Sequence, residues 1–539
     1  MNVLPPLRLL EVNTPLIWHW PHFLEVIDLI ARYRFNGLIV HQQNILALLA
    51  RPPAHNKNPG IENLHHERES TLSYLQRVSH HCQSRHIQLW IQGEAFPGDA
   101  KIKQKFPEFF LDDDAVANNA SFLTRFYSET VDEMLAALPD ISGLILSLQT
   151  PTFHPEQWKQ SMKVLHRILR LHGKKLVLRD YLDDSWPRRQ LHNTLSSLPD
   201  DVRVSMKATA MDYRPGFANN PELTSFPGNK KWIEFDLWGI DYGWTLLPCM
   251  LVDEIQGRLS WAHAVAGDEL EAISARISWE WISNSSLLES INEINLYGLA
   301  QLINHAEGGE LHAAALFQRW LQDNHAVNAT AVTSNNAAGK RLDSVQSLFF
   351  NSYDWMCKTP YFLGRLLHRH SQLPHTLEQA IPLLHAETRS ANWTHAFQPL
   401  FPTDDRELGS HQYELVALER QQSHFFAHHL RQSAREIHHA RLLPEPLCAR
   451  LAASWDCAWW YTELYDHAKQ LIADALFTLS YGGTISAREQ HCNDAQAFAE
   501  KLHHWLAQHQ YDYPHFLPML MAPARLHQLA ESCRHPASN

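Results

Sequence analysis

Eight times in the first 280 or so residues, a short apolar run gives way to text of helical period. That alternation restricts the fold more than any other feature of the chain. The runs are Leu7–Val12, Phe35–Val40, Ile87–Ile91, Ile141–Leu148, Lys175–Leu178, Val202–Lys207, Trp232–Leu237 and Ala272–Ile277. Each is rich in Leu, Ile and Val and bounded by turn residues, which is a strand signal. Between them, Pro21–Arg34 places Phe23, Val26, Ile27 and Ile30 at helical spacing behind an early proline, and Pro155–His172 stops at Gly173. An open α/β sheet alternates in the same way. The count of eight, and the gathering of polar residues just after the strands, favour a TIM (β/α)8 barrel over residues 1–285. From 286 to 539 the text is helical without a strand series, as in Leu415–His439, Ala458–Ser480 and Asn493–Gln508, and predicts an α-helical C-terminal domain.

In such a barrel the residues that end each strand build the site. Trp18 and His19 follow the first strand, His41 the second, and Gln92 and Glu94 close the third. Gln149 follows the fourth, Arg179 and Asp180 the fifth, and Lys207, Asp212 and Arg214 the sixth. Asp236, Asp241 and Tyr242 come with the seventh, and Arg276, Trp279 and Glu280 with the eighth. A core accounts for single members of this set but not for so many charges and aromatics on one rim. Planar amides and charges direct hydrogen bonds to sugar hydroxyls, and indole rings accept the apolar face of a pyranose. Hydrolysis of a glycosidic bond needs two carboxyl groups, and Asp212 and Asp241 come from adjacent strands. Lys207, Arg179, Arg214 and Arg276 suit a substrate that itself carries a carboxylate. At least one of Trp18, Trp279 and Trp281 is expected to line the pocket.

Two segments carry a family resemblance. Met211–Pro215 (MDYRP) followed by Glu234–Tyr242 (EFDLWGIDY) resembles the core of the α-glucuronidases of glycoside hydrolase family 67. There an Ile-Asp-Phe-Gln-Pro-Arg loop precedes Glu-Phe-Gln-Ile-Thr-Gln-Glu-Tyr. Asn292–Leu302 (NEINLYGLAQL) is similar to the start of that family's helical domain. The resemblance implies that Asp212 and Asp241 activate the attacking water with inversion, Asp241 standing where the family has Glu. The chain departs from the pattern after the fourth strand, where Leu148-Gln149-Thr150-Pro151 replaces a motif bearing the acid Glu. Glu94 and Asp180 are the replacement candidates, Glu94 first because a glycine precedes it at its strand end. The family's N-terminal β-rich domain has no counterpart ahead of the first strand.

The net charge of −12, with no basic block, argues against a nucleic-acid surface. Seven scattered Cys without a CxxC pair argue against a disulfide framework and, with no signal-like N-terminus and no apolar span, predict a cytoplasmic protein with no membrane partner. No dinucleotide, P-loop, GxSxG or HExxH motif is present, so no cofactor is expected. A metal held by His19, His41 and Glu94 is a minor alternative to their polar roles, and most of the 36 His belong to helix faces. The expected activity is an intracellular glycoside hydrolase acting on a short oligosaccharide, with self-association into a homodimer left open. Two other classes stay in view: a non-hydrolytic sugar-binding relative, and a lyase or isomerase using His19 or His41 as base.

Overall fold

The computed structural model describes residues 5–53, 56, 59–95, 100–107, 120–147, 155–180, 191–209, 214–239, 246–279, 286–305, 311–325, 337–368, 371–385, 408–481, 485–509 and 520–535. Its first half is a closed barrel of eight parallel strands: β1 (Leu7–Val12), β2 (Gly37–His41), β3 (Gln88–Glu94), β4 (Ile141–Ser147), β5 (Lys175–Arg179), β6 (Arg203–Lys207), β7 (Lys231–Asp236) and β8 (Leu270–Arg276). Each pairs with the next in sequence, and β8 returns to β1 with Glu11 opposite Arg276. The order is what the eightfold alternation predicts.

Side chains alternate along each strand. One set, including Leu10, Val12, Leu38, Val40, Leu144 and Leu178, faces the surrounding helices and joins the large outer core. The other set points inward and separates into levels. At the N-terminal end Leu7, Leu9, Ile39, Trp90, Ile145, Val177, Trp232 and Ala272 form a separate apolar cluster. Trp90 and Trp232 meet edge to face at its centre, 4.6 Å between ring centroids. Gly143 makes room for them, since a Cβ there would lie 2.7 Å from the Trp90 ring and 2.2 Å from the Lys175 carbonyl oxygen. Below Trp232 the β7–β8 register shifts past Glu271, whose carboxylate accepts from the indole Nε1 at 2.9 Å and from Arg203 Nε at 3.0 Å. The barrel is therefore plugged by side chains at its base, and what lies above the plug faces the C-terminal mouth.

The loop after β2 is held with equal care. A short helix, Ile45–Leu49, ends on cations: Lys105 Nζ donates to the carbonyls of Ala47 (2.6 Å), Leu48 (3.0 Å) and Ala50 (3.0 Å), and Arg68 Nε to that of Leu49 (2.9 Å). Positive charge at a helix C-terminus satisfies the carbonyls left without intrahelical partners. Gly93 lets this loop approach β3, because a Cβ there would meet the Gln42 carbonyl oxygen at 2.8 Å.

After β8 the chain is largely helical. The long helices Ser410–His439, Glu445–Tyr481 and Ile485–Gln508 pack together, as the sequence predicts, and no described helix is long and apolar enough to cross a membrane. Within this helical region Tyr361–Phe362 and Arg365–Leu366 form a short two-stranded hairpin that the sequence does not announce. Leu363 and Gly364, both at positive φ (49° and 79°), make its turn. The run is too short to register as alternation. The hairpin sits on a buried pair, with the Leu363 N–H donating to Glu419 (3.1 Å) and Lys469 Nζ 3.8 Å from the same carboxylate. Burial, opposed by Lys469 and that N–H, pushes the Glu419 carboxyl up to about 7.

Two glycines separate close packing from mere tolerance. Gly143→Ala should destabilise the protein by about 1–3 kcal/mol through overpacking of the plug. Gly257→Ala, inside the helix Val252–Ala266 with no heavy atom within 4 Å of the added Cβ, should stabilise it by about 0.5–1 kcal/mol. Urea unfolding midpoints measure both.

Candidate active site

The inward positions above the plug are Glu11 on β1, His41 on β2, Gln92 on β3, Ser147 on β4, Arg179 on β5, Ser205 on β6, Glu234 on β7 and Arg276 on β8, all buried. On β1, β2, β3, β4, β5 and β7 they sit two residues beyond a member of the apolar cluster, so the same alternation that fills the base with Trp and Leu fills this level with polar and charged groups. Lys207 and Asp236 lie one step higher on β6 and β7.

Two linked pairs organise the floor. Arg179 Nε donates to both oxygens of Glu234 (2.8 and 2.9 Å) and its Nη2 to one of them (2.7 Å), while Ser205 Oγ donates to Glu234 Oε1 at 2.6 Å. Burial would lower the Arg179 pKa, but Glu234 outweighs it and keeps the guanidinium charged. Glu11, 1% exposed, receives His41 Nδ1 at 2.7 Å, Gln92 Nε2 at 3.3 Å and Arg276 Nε at 3.3 Å. Burial alone would raise the Glu11 carboxyl; Arg276, His41 and Arg179 together hold it well below the usual carboxylate range. Arg276 also reaches Asp236 at 3.6 Å, and Asp236 Oδ1 accepts from the backbone N–H of Trp238 (3.1 Å) and Gly239 (3.2 Å), shaping the exit of β7.

Several residues singled out from the sequence meet here: His41, Gln92, Arg179, Asp236 and Arg276 form one network. Glu94 stands at the end of β3 and accepts from Gln43 Nε2 at 2.6 Å. Asp180 follows β5 and is buried, its N–H bonded to the Ser205 carbonyl. Lys207 is buried on β6, and Arg214 is stacked 5.3 Å over the Phe217 ring. The tryptophans behave differently from one another. Trp18 is half-buried on Tyr74, with its Nε1 donating to Gln42, whereas Trp279 is buried against Trp238 within the outer core. His19 is exposed where the helix Trp20–Arg32 begins. Gln149, Asp212, Asp241, Tyr242, Glu280 and Trp281 lie outside the described residues.

Sequence reading overlooked two members. Glu11 is a lone acid within an otherwise apolar strand, in phase with Leu7 and Leu9; that phase is the signal that marks it as inward. Glu234 shares a face with Asp236 in the sequence, but nothing local marks it as a site residue, since its partner Arg179 is 55 residues away. Among the described residues no group of three His, Cys, Asp or Glu stands together as a metal site.

No protein-family model matches the chain, and no curated protein matches its sequence. Among solved structures it is similar to a GH138 enzyme targeting pectin rhamnogalacturonan II, with a TM-score of 0.61 and 12% identity over 92% of this chain and 61% of that one. The beta-N-acetylhexosaminidase from Bacteroides fragilis NCTC 9343 aligns with a TM-score of 0.41 and 13% identity, over 59% of this chain and 70% of that one. For the chitobiase of Flavobacterium johnsoniae the values are 0.38 and 10%, over 91% and 75%. The likeness to the GH138 enzyme is one of fold, and this chain spans about 61% of that enzyme's length.

Removing one partner of a buried ion pair leaves the other charge uncompensated. Glu11→Gln should therefore cost about 3–5 kcal/mol at pH 7. The folded-state pKa of Glu11 lies below its unfolded value, so its contribution is present above about pH 4.3 and is lost as pH falls further. The deficit of the variant should narrow between pH 4 and pH 3, measured by urea unfolding.

Proposed function

We propose that this protein is a glycoside hydrolase acting on a short oligosaccharide, and that it releases an α-linked uronic acid in the manner of an α-glucuronidase. The observation that supports the reading best is the barrel floor: Arg179, Arg276, Glu11, Glu234, His41 and Gln92 packed as one buried polar layer beneath the mouth. The fold shared with a GH138 enzyme targeting pectin rhamnogalacturonan II agrees with it.

In this proposal Asp212 and Asp241, which follow β6 and β7 in the sequence, activate the attacking water. Glu94 and Asp180 are the carboxyl candidates for protonating the leaving oxygen. Lys207, Arg214 and Arg276 provide cations for a sugar carboxylate, with Asp236, Gln92, Gln149 and Glu280 directing hydroxyls and Trp18 and Tyr242 flanking the ring. All seven cysteines are buried and none is in a disulfide, which supports the proposed reducing, cytoplasmic setting.

A panel of nitrophenyl glycosides and uronosides tests the reading. Turnover of a uronoside is expected, and binding without turnover would favour a sugar-binding protein instead. Asp212→Asn should lower kcat by about 10²–10⁴-fold with an unchanged melting temperature. Proton NMR of the fresh product gives the stereochemistry, with inversion expected.

A further inference from the structure

We infer that His41, locked by Glu11, is the proton donor to the leaving group in this cleft, an assignment that rests on the proposed glycosidase reading. Glu11 and His41 come from neighbouring strands in a fixed register, Glu11 opposite Ile39 and His41 two residues further on. Their side chains point the same way and meet at 2.7 Å through His41 Nδ1. Glu11 is kept ionised by Arg276 on β8 and Arg179 on β5, so it only accepts hydrogen bonds. Nδ1 must therefore carry a proton, which leaves Nε2 as the working nitrogen. Gln92 on β3 braces the carboxylate, its Nε2 donating to Glu11 at 3.3 Å.

Three features set this histidine apart from one satisfied in a core. Its bonded nitrogen faces a buried carboxylate rather than a carbonyl. Nε2 makes no hydrogen bond to a described residue, and the residue keeps 8% exposure at the last position of β2, the end that opens to the mouth. The carboxylate is itself held by Arg276 on the adjoining β8, with Arg179 on β5 acting from across the barrel, so the ring orientation is set before substrate arrives. A carboxylate behind an imidazole selects the tautomer and stabilises the imidazolium, as in acid–base relays on unrelated folds. Glu11 is thus a positioning residue and His41 the group that touches the reacting atoms.

In the step, protonated His41 gives its Nε2 proton to the glycosidic oxygen as the bond from that oxygen to the anomeric carbon breaks. The leaving sugar departs as an alcohol. The oxygen of water bonds to the anomeric carbon, and the proton of that water passes to the carboxylate base. That proton returns to His41 through solvent after product leaves, so the sum is one glycoside plus one water giving two free hydroxyls.

The test compares the nitrophenyl glycoside that the panel shows to be cleaved with the methyl glycoside of the same sugar. A nitrophenolate leaves with little protonation, whereas methanol needs a full proton. His41→Gln should lower kcat on the methyl glycoside by about 10²–10⁴-fold and on the nitrophenyl glycoside by less than about 10-fold, with KM little changed. The limb of the wild-type profile on which activity falls as pH rises should be missing in His41→Gln. The wild-type proton spectrum should hold a far-downfield imidazole N–H resonance, lost in His41→Gln and Glu11→Gln and kept in Glu11→Asp. That signal reports the pair even if Glu11→Gln is too unstable to assay. Equal losses on both leaving groups, or the leaving-group dependence appearing in Glu94→Gln while His41→Gln stays active, would overturn the inference and spare the glycosidase reading. A wild type that turns over no glycoside would overturn both.

Discussion

A carboxylate at the bottom of a closed barrel has no water to solvate it, and Glu11 is in that position. An ionised group taken out of water costs several kcal/mol unless charge and hydrogen bonds replace the solvent. Arg276 and His41 supply that replacement, with Arg179 contributing at longer range. Arg179 is itself neutralised by Glu234, and Arg276 reaches on to Asp236. Each charge is tolerable only because of the next, so the floor behaves as one unit drawn from β1, β2, β5, β7 and β8.

Strand register makes that unit possible. A slip of one residue in any strand would turn its inward side chains outward. Slipping β1 would bury Leu10 and Val12 inside the barrel and aim Glu11 at the helices. The apolar plug below and the ionic floor above are therefore two readings of one alternation. Trp90 and Trp232 close the base, so polar groups at the next level can face only one another or the mouth.

The rim segment after β6 has its own support. Arg258 holds it through Asn219 (3.0 Å) and the Phe217 carbonyl (2.8 Å), and Glu254 accepts from the Gly216 N–H at 2.8 Å. From the helical region, Tyr361 donates to the Pro215 carbonyl at 2.7 Å and packs with Phe217 and Leu366. The hairpin thus touches the backbone next to Arg214 and fixes one side of the mouth from outside the barrel. A fold of this kind hosts many chemistries, so the case for glycoside chemistry rests on these groups rather than on the barrel itself.

The eight strands and their order were legible in the sequence, because period-two alternation and turn residues act over a few positions. His41, Gln92, Arg179, Asp236 and Arg276 could be named from their place at strand ends. The helices of the second half were legible for the same reason, and the hairpin at Tyr361–Leu366 was not, being shorter than one period of any signal. Partnership was decided only by the tertiary structure. Glu11 and Arg276 are 265 residues apart, Arg179 and Glu234 are 55 apart, and nothing local links them. They meet because closure brings β8 against β1, and because a dry interior makes every buried charge find a counter-charge. The sequence determined which groups point inward; closure and burial decided which of them hold one another.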